Sequence, residues 1–62
     1  MTQRRIRIKD DGIEVNVGGR IYRPAAVAIN GGQILVRPDQ QGLVIETDSF
    51  IHMDMDPEVV IL

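Results

Sequence analysis

Few side chains in this sequence could perform nucleophilic or acid–base chemistry. The 62 residues contain one histidine and no cysteine, so a cysteine–histidine pair is excluded. Asp48, Ser49 and His52 have the residue types of a catalytic triad, but residues so close along one turn and one strand cannot easily converge as nucleophile, base and orienting acid. Asp48 and Ser49 are better explained as turn residues. We therefore predict that the chain is not an enzyme and uses no cofactor.

A second constellation could bind a metal ion. His52, Asp54 and Asp56 follow at two-residue steps, so all three would project from one face of a strand. Same-face neighbours on a strand are ~6.6 Å apart, which is too far to share one ion without a strong twist or a loop. We therefore predict no metal site, and a solvated outer face at these positions. The inward-facing residues of the same run are Ile51, Met53 and Met55.

Basic residues are the strongest candidates for a binding site. Six of them could gather on one side of a small fold, namely Arg4, Arg5, Arg7, Lys9, Arg20 and Arg23. Guanidinium groups bind phosphate oxygens in bidentate geometry, so such a cluster could contact nucleic acid. The alternative is an outer strand face that these cations keep soluble, partly neutralised by Glu14 and Asp10. Residue types alone favour this alternative, because the chain is net acidic and has no aromatic platform for stacking bases.

The charges are unevenly distributed along the chain. All seven basic residues precede residue 38, beside only three acids, which gives that part a charge of +4. From residue 38 onward there are six acids and no base, which gives −6. Whether this asymmetry also exists in space depends on the fold, because paired strands can interleave the two halves.

The length and composition allow one small domain with a thin margin of stability. No cysteine is present, so neither a disulfide nor a cysteine zinc site can stabilise it. The domain must be stabilised by an aliphatic core or by contacts with a partner. No run approaches the 18 apolar residues of a membrane span, and residues 1–5 lead into no signal-like stretch. We expect a cytoplasmic protein with no membrane partner.

Hydrophobic residues alternate with a period of two almost throughout, which predicts β-strands. The predicted strands cover residues 5–9, 13–17, 20–23, 33–37, 43–47 and 50–55. Asp11 and Gly12 form a strong hairpin signal that would place Ile8 opposite Val15, and residues 18–19 form a second one. Residues 25–29 are too few for a helix and are predicted to be a connector.

Six short strands joined by glycine-centred turns predict an all-β fold, a small six-stranded antiparallel and partly closed barrel built from hairpins. Closure is expected because it hides strand edges. The barrel would span residues 1–56, and residues 57–62 would be a tail that forms either a final strand or a link to a longer chain. The expected core residues are Ile6, Ile8, Val15, Val17, Tyr22, Val27, Ile34, Val36, Leu43, Ile45, Phe50 and Ile51.

Several weak motifs occur in order over about two-thirds of the chain. Arg-x-Tyr stands at residues 20–22, Gly-x-x-apolar-Val-Arg followed by Pro-Asp at 32–39, and Gly-Leu-Val-Ile at 42–45 before a turn into 50–51. In this order and spacing they resemble the small C-terminal β-barrel domain of Mu-type phage transposases and their bacterial relatives.

The resemblance implies a non-catalytic accessory domain of a longer transposase whose RNase H-like catalytic domain lies ahead of this segment. It implies weak DNA contacts without sequence specificity and a role in assembling transposase–DNA complexes for transposition, with the rest of the transposase or other protein subunits as partners. The positions that could inherit the DNA contacts are Arg20 and Arg23, at and beside the Arg-x-Tyr motif, and Arg37. The candidates outside the motifs, which rest on charge alone, are Arg5, Arg7 and Lys9.

A different class of function stays open. The chain could be a small phage or bacterial protein-interaction or structural module with no nucleic-acid role. Its supporting features are the apolar residues 59–62 and the acidic second half, which could dock against a basic partner.

Overall fold

The computed structural model describes residues 3–62, and all of their regular structure is β. The eight strands are β1 (Arg4–Lys9), β2 (Gly12–Val17), β3 (Arg20–Tyr22), β4 (Ala26–Ile29), β5 (Ile34–Val36), β6 (Val44–Thr47), β7 (Ile51–Asp54) and β8 (Val59–Ile61). They form two antiparallel four-stranded sheets, with the spatial orders β3-β2-β1-β6 and β5-β4-β7-β8. The all-β prediction is confirmed, whereas the prediction of six strands in a partly closed barrel is wrong.

The strand that the pattern missed is β4, which falls in the predicted connector. In the structure Ala26–Ile29 pairs with β5 on one side and with β7 on the other. Its conformation is therefore set by two neighbouring strands rather than by its own alanine-rich composition, because strand preference depends strongly on cross-strand context.

The two sheets do not close on each other. Among residues 3–62, no strand of one sheet pairs with a strand of the other. Three of the four edge strands, β3, β5 and β8, have only three residues each, so they offer few main-chain groups for a ladder between the sheets. Short edges are also one way in which open sheets avoid aggregation. The short edge strands thus give part of the protection against aggregation that we expected from barrel closure.

The first hairpin turns earlier than its sequence signal predicts. Residues 10–11 form the turn, and Ile8 pairs with Ile13 instead of the predicted Val15. The partner moves by two residues, so every side chain keeps its predicted face. Gly12 is the first residue of β2 and has φ +128°, a conformation that glycine adopts readily and other residues do not.

Replacing Gly12 by alanine is expected to lower the free energy of unfolding by about 1–3 kcal/mol, because a Cβ at this φ strains the backbone. Apart from its chain neighbours, no heavy atom lies within 4 Å of the added Cβ, so the effect comes from conformation and not from a clash. Urea unfolding followed by circular dichroism measures the change. The exposed turn variant Asp10→Ala is the control and should stay within about 0.5 kcal/mol of wild type. Equal midpoints for all three proteins would contradict the prediction.

The hydrophobic core draws on both sheets. Its buried members are Ile6, Ile8, Ile13, Val15, Val27, Ile29, Val36, Ile51 and Met53. Two of the expected core residues are exposed: Ile34 lies on the edge strand β5, and Phe50 is 69% exposed. The other expected residues are buried or pack against the buried cluster.

Candidate nucleic-acid interface

β1 separates a basic face from an apolar face, as the alternation predicts. Ile6 and Ile8 are buried, while Arg5, Arg7 and Lys9 alternate with them on the outer face of the first sheet. The strand thus positions three of the candidate DNA-binding cations side by side.

Acidic residues on the neighbouring strands compensate these three cations. Arg5 lies opposite Glu46 on β6, and its Nε donates a hydrogen bond of 2.8 Å to Glu46 Oε1. Glu14 on β2 pairs with both other cations, at 3.7 Å from Arg7 NH1 and 3.3 Å from Lys9 Nζ. Of the six acids that follow residue 38, Glu46 thus lies beside the basic strand, and three cations against two carboxylates leave this group one net positive charge for a phosphate backbone.

Arg4 lies on the opposite face of β1 and is only 9% exposed. Its Nε donates to the carbonyl oxygen of Leu62 at 2.8 Å, and its NH1 donates to that of Asp48 at 2.9 Å. The guanidinium carbon stands 5.2 Å from the centroid of the Phe50 ring, within the range of a cation–π contact. The expectation that Arg4 joins the outer basic cluster is therefore wrong, because this side chain faces inward and cross-links the two sheets.

The remaining candidates, Arg20, Arg23 and Arg37, are called the edge arginines here. Arg20 begins β3, Arg23 follows it, and Arg37 follows β5, so all three lie at edge strands. Arg23 NH1 stands 3.3 Å from Asp11 Oδ2, and both side chains are more than half exposed. Within residues 3–62, Arg20 and Arg37 form no ion pair. Arg20 and Arg37 are thus less compensated than the cations of β1, whereas Arg23 has an exposed carboxylate partner.

One depression on the described surface lacks the side chains of a catalytic site. A shallow depression of about 190 Å³ on the outer face of the first sheet is lined by Gln3, Arg5 and Asn16, which include no nucleophile or general base. In the bend between β6 and β7, the Ser49 main-chain N–H donates to Thr47 Oγ1 at 3.0 Å, as expected of a turn residue.

The outer face of β7 carries two of the residues considered above for metal binding, His52 and Asp54. The strand ends at Asp54, so Asp56 lies in the following turn and not on the predicted strand face. His52 is half-buried and Asp54 exposed, while Ile51 and Met53 between them are buried, as the alternation predicts. Asp54 Oδ1 accepts a hydrogen bond from the main-chain N–H of Asp56 at 3.3 Å, so this carboxylate orders the following turn. No group of three His, Cys, Asp or Glu side chains in residues 3–62 is arranged to hold a metal ion.

The outer face of the second sheet also carries an apolar row that the sequence reasoning missed. The strand registers place Leu35, Ala28, His52 and Ile61 side by side across β5-β4-β7-β8. Leu35 and Ile61 are about half exposed. Sequence alternation alone could have indicated this row if residues 59–61 had been paired with β7, because that pairing places Ile61 on the same face as His52.

Comparison of the chain with protein-family models, curated proteins and solved structures found no match. The likeness to Mu-type transposases therefore rests on the order of the motifs and stays a prediction. Separately, the described residues form no helix with the length and apolar character needed to span a bilayer.

Proposed function

We propose that this chain is a non-catalytic cytoplasmic domain that contacts DNA phosphates through the edge arginines, as an accessory part of a Mu-type transposase. One observation carries the proposal. Among the described residues, Arg20 and Arg37 form no ion pair, and both are positions to which the resemblance assigns DNA contacts. The third such position, Arg23, pairs with Asp11 where both side chains are more than half exposed. A cation already paired with a carboxylate must give up that partner to bind a phosphate, whereas Arg20 and Arg37 have none to give up and Arg23 gives up an exposed pair.

The chemistry of this contact is electrostatic. Guanidinium groups bind phosphate oxygens without reading the base sequence, so the domain would hold DNA in place but not select a site. Each neutralised phosphate releases condensed counterions, and three such contacts predict a fall in affinity of about 20-fold between 50 and 150 mM salt. The net charge of −2 keeps the affinity of the isolated domain weak.

A matched pair of variants tests the proposal. Fluorescence anisotropy of a labelled DNA duplex is measured at about 20, 50 and 150 mM salt. The first variant changes the edge arginines to glutamine, and the second changes Arg5, Arg7 and Lys9 to glutamine. Each variant loses three positive charges, so a difference between their DNA affinities reports the position of the charges and not the net charge. We expect the first to lower the affinity at least tenfold and flatten the salt dependence, and the second to lower it less than threefold.

Equal losses in the two variants would show that only the overall charge matters, which contradicts the proposed surface. No binding by the wild-type chain at the lowest salt would also contradict a DNA contact by this domain alone.

A protein-interaction module is the second candidate, and the apolar row on the outer face of the second sheet favours it. Its exposed apolar side chains are Leu35 and Ile61 on the two edge strands, with Ala28 and His52 between them, and exposed apolar side chains on one sheet face are typical of a surface that another molecule covers. This candidate predicts no DNA binding at any salt concentration, so the anisotropy titration also separates the two functions.

A further inference from the structure

The outer edge of β8 presents main-chain groups that no other described strand uses. Leu62 and Ile51 exchange both main-chain hydrogen bonds, at 2.8 and 3.0 Å, and Met55 N donates to Glu58 O at 2.8 Å. Because hydrogen-bonded pairs alternate along an antiparallel ladder, Val60 also directs its N–H and C=O toward β7. The N–H and C=O groups of Val59 and Ile61 therefore face away from the sheet.

The side chains along this edge carry none of the usual protections against strand pairing. Val59 is 64% exposed and Ile61 is 57% exposed, and no charged side chain or proline occurs in residues 59–62. Among the four edges, β3 begins at Arg20 and β6 contains Glu46, whereas β5 and β8 contain neither a charged residue nor a proline. Both have such residues only beside the strand, at 37–38 after β5 and at 57–58 before β8. A charge within an edge strand discourages pairing, so β5 and β8 are the less protected edges, and the apolar side chains of β8 are the more exposed of the two.

We propose that β8 pairs antiparallel with β8 of a second copy of this chain, about a two-fold axis that passes beside Val60. The edge is self-complementary for this arrangement. Val59 would lie opposite Ile61 of the second copy, and each such pair would exchange both main-chain hydrogen bonds. The exposed Val59 and Ile61 side chains would then meet as cross-strand neighbours about 5.5 Å apart, which joins the two second sheets into one.

The charges near β8 weaken this pairing but do not prevent it. Glu58 would face Leu62 of the second copy, whose main-chain carboxylate in the 62-residue chain repels it, and would not face the other Glu58. The two Glu58 residues would be separated by about four residues along the strands, or ~13 Å, which exceeds the screening length of ~8 Å at physiological salt.

The size of the edge sets the expected strength. A standard stable interface buries about 800 Å² from each partner, which is a large share of the 4102 Å² surface of this chain. A three-residue edge covers much less, so the dimer should be weak and populated only at high protein concentration.

Sedimentation velocity of the 62-residue chain, from about 5 to 500 μM, tests the proposal. We expect a shift from monomer toward dimer over this range. Ile61→Pro removes an N–H that faces outward and leaves the hydrogen bonds to β7 in place, and Val59→Lys adds a charge to the edge. Each should raise the dimer dissociation constant at least tenfold. Circular dichroism verifies folding, and Val59→Lys keeps the test valid if Ile61→Pro does not fold.

Leu35→Lys is the matched control, because Leu35 belongs to the same apolar row but lies on the opposite edge strand. It should dimerise like wild type. If Leu35→Lys abolishes the dimer as well, the copies meet through the sheet face and the edge pairing is wrong. A wild-type chain that stays monomeric at 500 μM, or a dimer that persists in Val59→Lys, would also overturn the proposal.

Discussion

Replacing Arg4 by alanine is expected to lower the free energy of unfolding by about 2–4 kcal/mol. Arg4 is nearly buried and donates hydrogen bonds to the carbonyl oxygens of Leu62 and Asp48. Hydrogen bonds from a charged donor stabilise more than neutral ones, and truncation leaves the Asp48 carbonyl without this donor. A domain of this length has a total stability of only about 3–9 kcal/mol, so this loss would remove a large fraction of it.

Urea unfolding followed by circular dichroism measures this effect. Arg5→Ala is the matched control, since it removes the same side chain from the outer face of the same strand, where the ion pair is exposed and worth about 1 kcal/mol or less. Arg4→Lys should give an intermediate loss, because an ammonium group keeps the charge but cannot reach two carbonyls with a planar fork. If Arg4→Ala and Arg5→Ala unfold at the same urea concentration, the cross-linking role of Arg4 is refuted.

Ile6→Ala is expected to lower the free energy of unfolding by a similar or larger amount, about 2–5 kcal/mol. Ile6 has no exposed surface, and it lies on β1 between Val15 of β2 and Ile45 of β6. Removing three carbons there leaves a cavity that the central strand of a sheet cannot easily collapse to fill. In so small a core, one such cavity affects a large share of the packing.

The control for this prediction is Ile21→Ala. It makes the same change on β3, where the isoleucine is about half exposed, and it should change the stability by less than about 1 kcal/mol. Thermal unfolding of the two variants gives the comparison. A midpoint for Ile6→Ala close to that of Ile21→Ala would show that the core is not packed as described.

Alternation along the chain was sufficient to predict which face most strands present to the core. It placed Ile6 and Ile8 inside and His52 and Asp54 outside, because the two-residue period of a strand is a local property. The turn at residues 18–19 was also predictable, since glycine pairs indicate tight hairpins.

What the pattern could not show depends on contacts between distant residues. β4 is a strand because β5 and β7 flank it, and its own five-residue neighbourhood does not reveal this. Arg4 is adjacent in sequence to Arg5, yet its environment comes from Asp48 and Leu62. The pairing of Arg5 with Glu46 could likewise not be predicted, because it depends on the register between β1 and β6.

The hydrogen bond from Arg4 to Leu62 joins residues 58 positions apart, and this separation also concerns the order of events during synthesis. The first sheet lacks its edge strand β6 until residues 44–47 have been synthesised, and Arg4 lacks one of its hydrogen-bond acceptors until residue 62 has been added. Non-local pairing of this kind makes β-proteins fold in about milliseconds to seconds, because distant segments must meet before their contacts stabilise them. On the ribosome this segment therefore cannot complete its fold before residue 62 has been synthesised, because the contact from Arg4 to Leu62 forms only then.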